Sequence, residues 1–225
     1  SALLRSGVGR GSHVAMLFGN SVDFATCFLG ITRIGAIAMP LSTLSTALEI
    51  RALLHGADVE FLVSAESWHG RDLHQTLTDA IGAPVQGQLL LPELPILRKV
   101  WFDLTELLTE TKQAVDILVA TAEAQVCPSD TLAIVHTSGS TSAPKGVVHT
   151  HGQVIRNMRC QNALRKYTAD DRLFSNSPFF WIGGLAYSFL ATLIAGARLI
   201  CSGAEPRAML DLLEAEQPTM CNGVA

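Results

Sequence analysis

Apolar positions along this chain fall into short runs that alternate with longer stretches at helical spacing. Residues 13–18 form a short apolar run. After a turn at Gly19-Asn20, the stretch 21–34 carries Phe24, Phe28 and Ile31 at helical intervals and ends at Gly35. Residues 36–39 read as a second strand stopped by Pro40, 45–55 as a helix with Gly56 at its exit, and 59–63 as a third strand. Strand–helix alternation of this kind predicts an α/β fold, with largely parallel sheets covered by helices.

The pattern continues with a helix over 68–81 and strands over 88–91 and 98–102, the two separated by the proline-bearing segment 91–95. Residues 104–122 read as one helix, and Pro128-Ser129-Asp130 as a joint. Beyond it come a strand over 131–136, a polar segment, and a strand over 146–149. Thr150-His151-Gly152-Gln153 has the Thr-x-x-Gln form of a capping box and opens a helix carrying Val154, Asn157 and Met158. Strands over 173–176, 198–201 and 219–221 then alternate with helices over 185–195, closed by Gly196, and 206–216. Neither an internal repeat nor a low-complexity stretch interrupts the series.

At 225 residues with 48% hydrophobic and 16% charged side chains, the chain is long enough for one large domain or two small ones around a substantial core. The nineteen residues 179–197 carry no formal charge, the length of a membrane span. Gly183-Gly184, the preceding Ser177-Pro178 and the recurring Tyr187, Ser188 and Thr192 favour a helix buried inside an α/β domain instead, and no basic cluster flanks the segment closely. A net charge of −4 without a basic block speaks against sequence-independent nucleic-acid binding. Five scattered cysteines, none in a C-x-x-C pair, read as buried thiols in a reducing, cytoplasmic setting. No signal peptide is visible. The chain opens mid-helix without Met and closes on a strand entering a loop, so both ends read as cut.

The densest chemistry lies between the two strands of 131–149. Thr137-Ser138-Gly139-Ser140-Thr141-Ser142-Ala143-Pro144-Lys145-Gly146 packs five hydroxyls, two glycines and a lysine into ten residues. Backbone N–H groups and hydroxyls in such a loop can surround phosphate oxygens, and Lys145 adds a compact positive charge; the ligand expected is a nucleoside triphosphate. Counted from Gly139, Lys145 falls at the Walker lysine position. Pro144 replaces the second glycine, however, Gly146 replaces the magnesium-binding hydroxyl, and strand formers follow where a Walker loop opens a helix. The alternative is a solvated turn, in which Ser, Thr, Gly and Pro are common.

HTSGSTSAPKGVVHTH resembles the signature of the adenylate-forming enzymes, a superfamily of acyl-CoA synthetases, luciferase and peptide-synthetase adenylation domains. His136 stands where an aromatic is usual, and Ser142, which stiffens the loop, where glycine is usual. The resemblance extends to residues 7–15, to Asn20-Ser21-Val22-Asp23-Phe24, to Arg33-Ile34-Gly35-Ala36 with Pro40-Leu41-Ser42, to 178–185 with Trp181 in place of a histidine, to Gly196-Ala197, and to Asn222-Gly223-Val224. It implies that residues 1–225 are part of the large N-terminal AMP-binding domain, built in αβαβα layers.

The resemblance also implies chemistry: a carboxylate joined to AMP with release of pyrophosphate, then passed to a thiol such as coenzyme A. By carry-over, Thr137, Ser138, Gly139, Ser140, Thr141, Ser142, Lys145 and Gly146 form the ATP-binding loop. Lys145 and Thr141 act on the leaving pyrophosphate, and Thr137 contacts Mg²⁺. Phe180, Trp181 and Gly183 line the acid pocket, the glycine leaving room for a chain, with ordinary core packing as the alternative for the aromatics. Peptide-synthetase members carry an Asp at the position aligned with Trp181, where it pairs with an ammonium. Tryptophan cannot do so, and a fatty or aryl acid is expected.

Other elements of the superfamily do not appear: no Y-G-x-T-E segment, no later ribose-binding Asp, no hinge and no C-terminal domain with its lysine. About the first half of the large domain is expected, without turnover on its own. A non-catalytic nucleotide- or protein-binding module on the same scaffold and a membrane protein built around 179–197 are the competing readings; peripheral membrane contact is compatible with the first. His149 and His151 lie two apart without a further ligand at metal spacing. His151 reads as a helix-start residue, and His13, His55, His69 and His74 as surface or satisfied core histidines.

Overall fold

The computed structural model describes residues 1–85, 87–109, 116–137, 145–201 and 206–222. A short helix α1 (Ala2–Arg5) leads into β1 (His13–Leu17), α2 (Val22–Arg33), β2 (Ile37–Pro40), α3 (Ala47–Gly56) and β3 (Phe61–Ser64). Local chemistry sets the helix starts. The Ser21 hydroxyl accepts the Phe24 N–H at 3.1 Å, and Thr46 with Glu49 forms a reciprocal capping box. A hairpin of β4 (Ser67–Trp68) and β5 (Arg71–Asp72) precedes α4 (Leu73–Ile81), β6 (Lys99–Phe102), α5 (Leu104–Thr109) and α6 (Asp116–Glu123).

The second half comprises β7 (Thr131–Thr137), β8 (Lys145–Thr150), α7 (His151–Arg165) and β9 (Arg172–Ser175). It continues through α8 (Ile182–Gly184), a π-helical turn (Leu185–Leu190), α9 (Ala191–Ala195), β10 (Arg198–Ile200), α10 (Pro206–Glu216) and β11 (Met220–Asn222). Thr150 caps α7 by accepting the Gln153 N–H at 3.3 Å, and Gly196 ends α9 with φ 71°.

Six strands form one sheet in the order β6-β3-β1-β2-β7-β8, parallel throughout except for the antiparallel β7–β8 pair at its edge. Strands β10-β9-β11 form a second, parallel sheet. Because side chains alternate along a strand, β1 feeds two cores. Val14 and Met16 face Phe24, Phe28 and the 185–191 helix, while Ala15 and Leu17 face α3 and α4. Helices thus cover both faces of a largely parallel sheet, as the strand–helix alternation predicts. Rings of Phe24, Phe28, Phe179 and Phe189 meet at centroid distances of 5.4–6.2 Å, an aromatic cluster between α2 and the π turn.

Three expectations need correction. Residues 68–81 are not one helix: His69 and Gly70 take φ of 50° and 74° and close the β4–β5 hairpin before Asp72 caps α4. Residues 88–91 make no strand; Pro92 stops the ladder after one Leu89 N–H to Arg98 carbonyl bond and a Leu91–Leu94 bridge. Of the helix expected over 104–122, Leu104–Thr109 and Asp116–Glu123 are helical, and 110–115 lie outside the described residues. The helix expected over 185–195 starts at Ile182 and widens into a π turn. Among the described residues no helix is long and apolar enough to cross a membrane.

Candidate functional site

Carboxyl ends of β1, β2 and β7 point to the same edge of the sheet, the position where parallel α/β sheets bind ligands. The hydroxyl-rich segment leaves the sheet there. Thr137 ends β7, Lys145 begins β8, and the two are opposite one another in the antiparallel ladder. The Thr137 hydroxyl donates to the Lys145 carbonyl at 3.4 Å, which ties the two stems of the loop together. Ser138, Gly139, Ser140, Thr141 and Ser142 lie outside the described residues. Gly146 pairs with His136, and a Cβ on it would stand 2.7 Å from Ile134 Cγ2 and 3.4 Å from His136 Nε2. Glycine is therefore required by close packing at this strand start, a second reason for it beyond loop chemistry.

Two cavities flank the stem. One, of about 240 Å³, lies between Pro40–Ser45, α3 and the β7 end, with His136, Thr137, Phe180 and Trp181 in its wall. The other, of about 340 Å³, is bounded by Val135, His136, Thr137, His149, Trp181 and Ile182. Thr137 and Trp181, 44 positions apart in the chain, thus share both walls. His136, the neighbour of Thr137 on β7, likewise lines both.

The aromatic run divides by role. Phe179 is core, 1% exposed and packed on Phe24 and Phe189. Phe180 is buried at 5% yet reaches the first cavity, and Trp181 stands 41% exposed between the two. A Cβ on Gly183 would meet nothing within 4 Å, whereas one on Gly184 would collide with the Pro178 and Ser177 carbonyl oxygens. Gly184 lets the first helical turn sit against the loop that carries the aromatics; Gly183 leaves open space.

Burial lowers the pKa of His136, of His149 and of His151, where Asp130 partly opposes it, so all three imidazoles favour the neutral form. His136 Nδ1 and His151 Nε2 are buried without a hydrogen-bond partner. His151 is the first residue of α7, as expected, and its N–H donates to the Asp130 carbonyl at 3.1 Å. Among the described residues no group of three His, Cys, Asp or Glu could hold a metal ion. Thr137 offers one hard oxygen to Mg²⁺, which suits an ion held mainly by phosphates and water and not one caged by protein.

Sequence reasoning overlooked part of this site. The loop after β2, especially Leu44 and Ser45, lines the first cavity along with Glu49 and Leu53. Its place just past a strand inferred to be parallel was the available signal. Asn20, which the sequence marks as a turn residue and as part of a motif, grips the aromatic loop.

The sequence model of the family described as AMP-binding enzyme matches residues 1–225. An indoleacetate–CoA ligase of Aromatoleum aromaticum is 30% identical over 98% of this chain and 41% of its own length. A 3-hydroxybenzoate–CoA ligase of an Aromatoleum species is 26% identical over 98% and 40%. The anthranilate CoA ligase AuaEII, solved in complex with anthranoyl-AMP, superposes with a TM-score of 0.78 at 20% identity, covering 98% of this chain and 41% of that one. The N-terminal domain of FACL13 from Mycobacterium tuberculosis gives 0.77 at 25% identity, covering 98% and 51%. The chain spans about two fifths of the length of the curated relatives it matches.

Proposed function

Because the chain belongs to the AMP-binding enzyme family, we propose that the complete protein is an ATP-dependent carboxylic acid–CoA ligase, of whose N-terminal domain residues 1–225 are part. The observation that carries this reading is the meeting of Thr137 and Trp181 in the walls of both cavities, beside the Thr137–Lys145 pair from which the hydroxyl loop springs.

In the first half-reaction a carboxylate oxygen attacks the α-phosphorus of ATP, and the bond from that phosphorus to the leaving pyrophosphate breaks. Negative charge grows on the pyrophosphate. Donors already aimed at it stabilise the transition state without reorganising. Thr137, Ser138, Ser140, Thr141 and the intervening amides, including those of Gly139 and Ser142, are assigned to the β- and γ-phosphates, with Lys145 anchoring the loop and Gly146 allowing its stem to pack. Mg²⁺, contacted by Thr137, supplies charge neutralisation when bound. In the second half-reaction the thiol of coenzyme A attacks the acyl carbonyl and AMP departs.

Phe180, Trp181 and the open space at Gly183 are assigned to the acid. The indole of Trp181 offers no carboxylate to pair with an ammonium, so fatty and aryl acids stand ahead of amino acids. The relatives named for indoleacetate and 3-hydroxybenzoate favour the aryl class. The partners are then small molecules (acid, ATP and coenzyme A), with the cytoplasm as the assigned setting. The test is acid-dependent ATP–pyrophosphate exchange by the full-length gene product across a panel of carboxylic acids. Exchange with aryl or fatty acids is expected. Preferential exchange with amino acids would remove the Trp181 argument, and none with any acid would remove the ligase assignment.

A further inference from the structure

The loop from Ser177 to Trp181 has no regular secondary structure, yet several of its backbone groups are tied down individually. The Ser177 N–H donates to Ser175 Oγ at 3.2 Å, and the Trp181 N–H closes a turn onto the Pro178 carbonyl at 3.1 Å. Pro178 has no N–H to offer. The Ser177 carbonyl and the Phe179 N–H are both taken by a single side chain. Asn20 Nδ2 donates to the Ser177 carbonyl at 2.8 Å, and Asn20 Oδ1 accepts the Phe179 N–H at 2.8 Å. Both partners are backbone groups of fixed polarity, so the amide orientation is forced.

Asn20 stands in the β1–α2 turn, whereas its partners lie 157 and 159 residues downstream. It therefore fastens the end of the six-stranded sheet to the loop leaving β9. That loop is held from its other side by the bare Gly184 backbone and by Ser175, whose hydroxyl donates to Ser188 of the π turn at 2.7 Å. Ser188 Oγ also accepts from Asn222 Nδ2 at 2.6 Å. One polar seam thus runs from the β1–α2 turn through the aromatic loop to β11, and among the described residues Asn20 brings the larger sheet into it. Phe180 and Trp181 follow directly after the gripped residues.

We propose that Asn20 is a positioning residue for acid binding: its carboxamide sets where Phe180 and Trp181 stand relative to Thr137 and hence the affinity for the carboxylic acid. The second half of this statement rests on the assignment of the cavities to an acid-activating ligase. Without the carboxamide, a buried carbonyl and N–H lose their partners, and the loop must shift to satisfy them. Displacements of about an ångström at a binding wall are enough to change rates by about a hundredfold.

Labelling with 5-fluorotryptophan gives one ¹⁹F resonance each for Trp68, Trp101 and Trp181, assignable by Trp→Phe variants. In Asn20→Ala, and in the nearly isosteric Asn20→Asp, which loses only the donor, the Trp181 resonance should move while that of core Trp101 stays. In the exchange assay, the acid concentration at half-maximal rate should rise about tenfold with that for ATP unchanged. An unmoved Trp181 resonance overturns the proposal, as do equal movement of all three resonances and equal loss of affinity for acid and ATP. If no acid supports exchange in the unsubstituted protein, the ligase assignment and the acid-affinity claim fall together, while the ¹⁹F comparison still decides whether Asn20 holds the loop.

Discussion

Thr137 and Lys145 are the outermost pair of the β7–β8 ladder, and the Thr137 hydroxyl reaches the Lys145 carbonyl across it at 3.4 Å. Two residues that bracket seven others in sequence are thereby held at strand spacing. An exposed ammonium at the start of β8 then stands at the loop's foot.

Under the ligase assignment, Lys145→Ala and Thr141→Ala should each lower ATP–pyrophosphate exchange in the intact enzyme, by about a hundredfold if each removes a transition-state donor. Unchanged kinetics in both variants would leave the loop as a solvated turn.

Gly183 and Gly184 are neighbours with opposite demands. Gly183→Ala should leave stability within about 0.5 kcal/mol, as for surface changes that meet no obstacle. Gly184→Ala would drive a methyl into the Pro178 and Ser177 carbonyls and should cost about 1–3 kcal/mol or more, because the obstacle is backbone. Urea unfolding of both variants is the measurement. Equal midpoints would contradict the close approach seen at Gly184.

Much of this architecture was legible because β1, β2 and β3 are buried on both faces and read as continuous apolar runs. Leu73, Leu77 and Ile81 sit at helical spacing directly after Trp68, which hid the hairpin; the left-handed pair His69-Gly70 breaks the helix, and propensity does not flag histidine there. The π turn was invisible for a related reason. Leu185, Ala186, Ser188, Phe189 and Leu190 are all buried, so no face of the pattern distinguishes a wider helix from an α-helix. Within the site, Thr137, Lys145, Phe180 and Trp181 stood out by residue type. Asn20 did not, since its contacts are to backbone more than 150 residues away, and no side-chain chemistry at positions 177 and 179 announces them.

Gly146→Ala tests whether the loop stem is set by packing as well as chemistry. The added methyl would press on Ile134 Cγ2 and the His136 ring. Ile134 can yield in part, so a loss of about 1–3 kcal/mol is expected, together with a shifted His136 imidazole signal in NMR spectra. A variant as stable as the parent, with the histidine signal unmoved, would mean that the stem has room to spare.

Stability should also depend on pH in two separate windows. His136, His149 and His151 have folded-state pKa values below the ordinary 6.5 because burial disfavours their charged form. The unfolded chain therefore takes up protons first as pH falls below about 6.5, and the stability present above that pH is lost progressively toward the lower, folded values. Asp130 behaves alike at lower pH. Hydrogen bonding from Arg10 and from the Cys127 N–H holds its carboxyl below the usual 3.8, so its contribution persists above that value and disappears as pH drops through the folded one. Urea midpoints measured from pH 8 to pH 3 should fall in two steps. His136→Phe should shallow the first step, and Arg10→Ala the second. A midpoint flat between pH 8 and pH 5 would show that the three imidazoles titrate as freely in the folded chain as in the unfolded one.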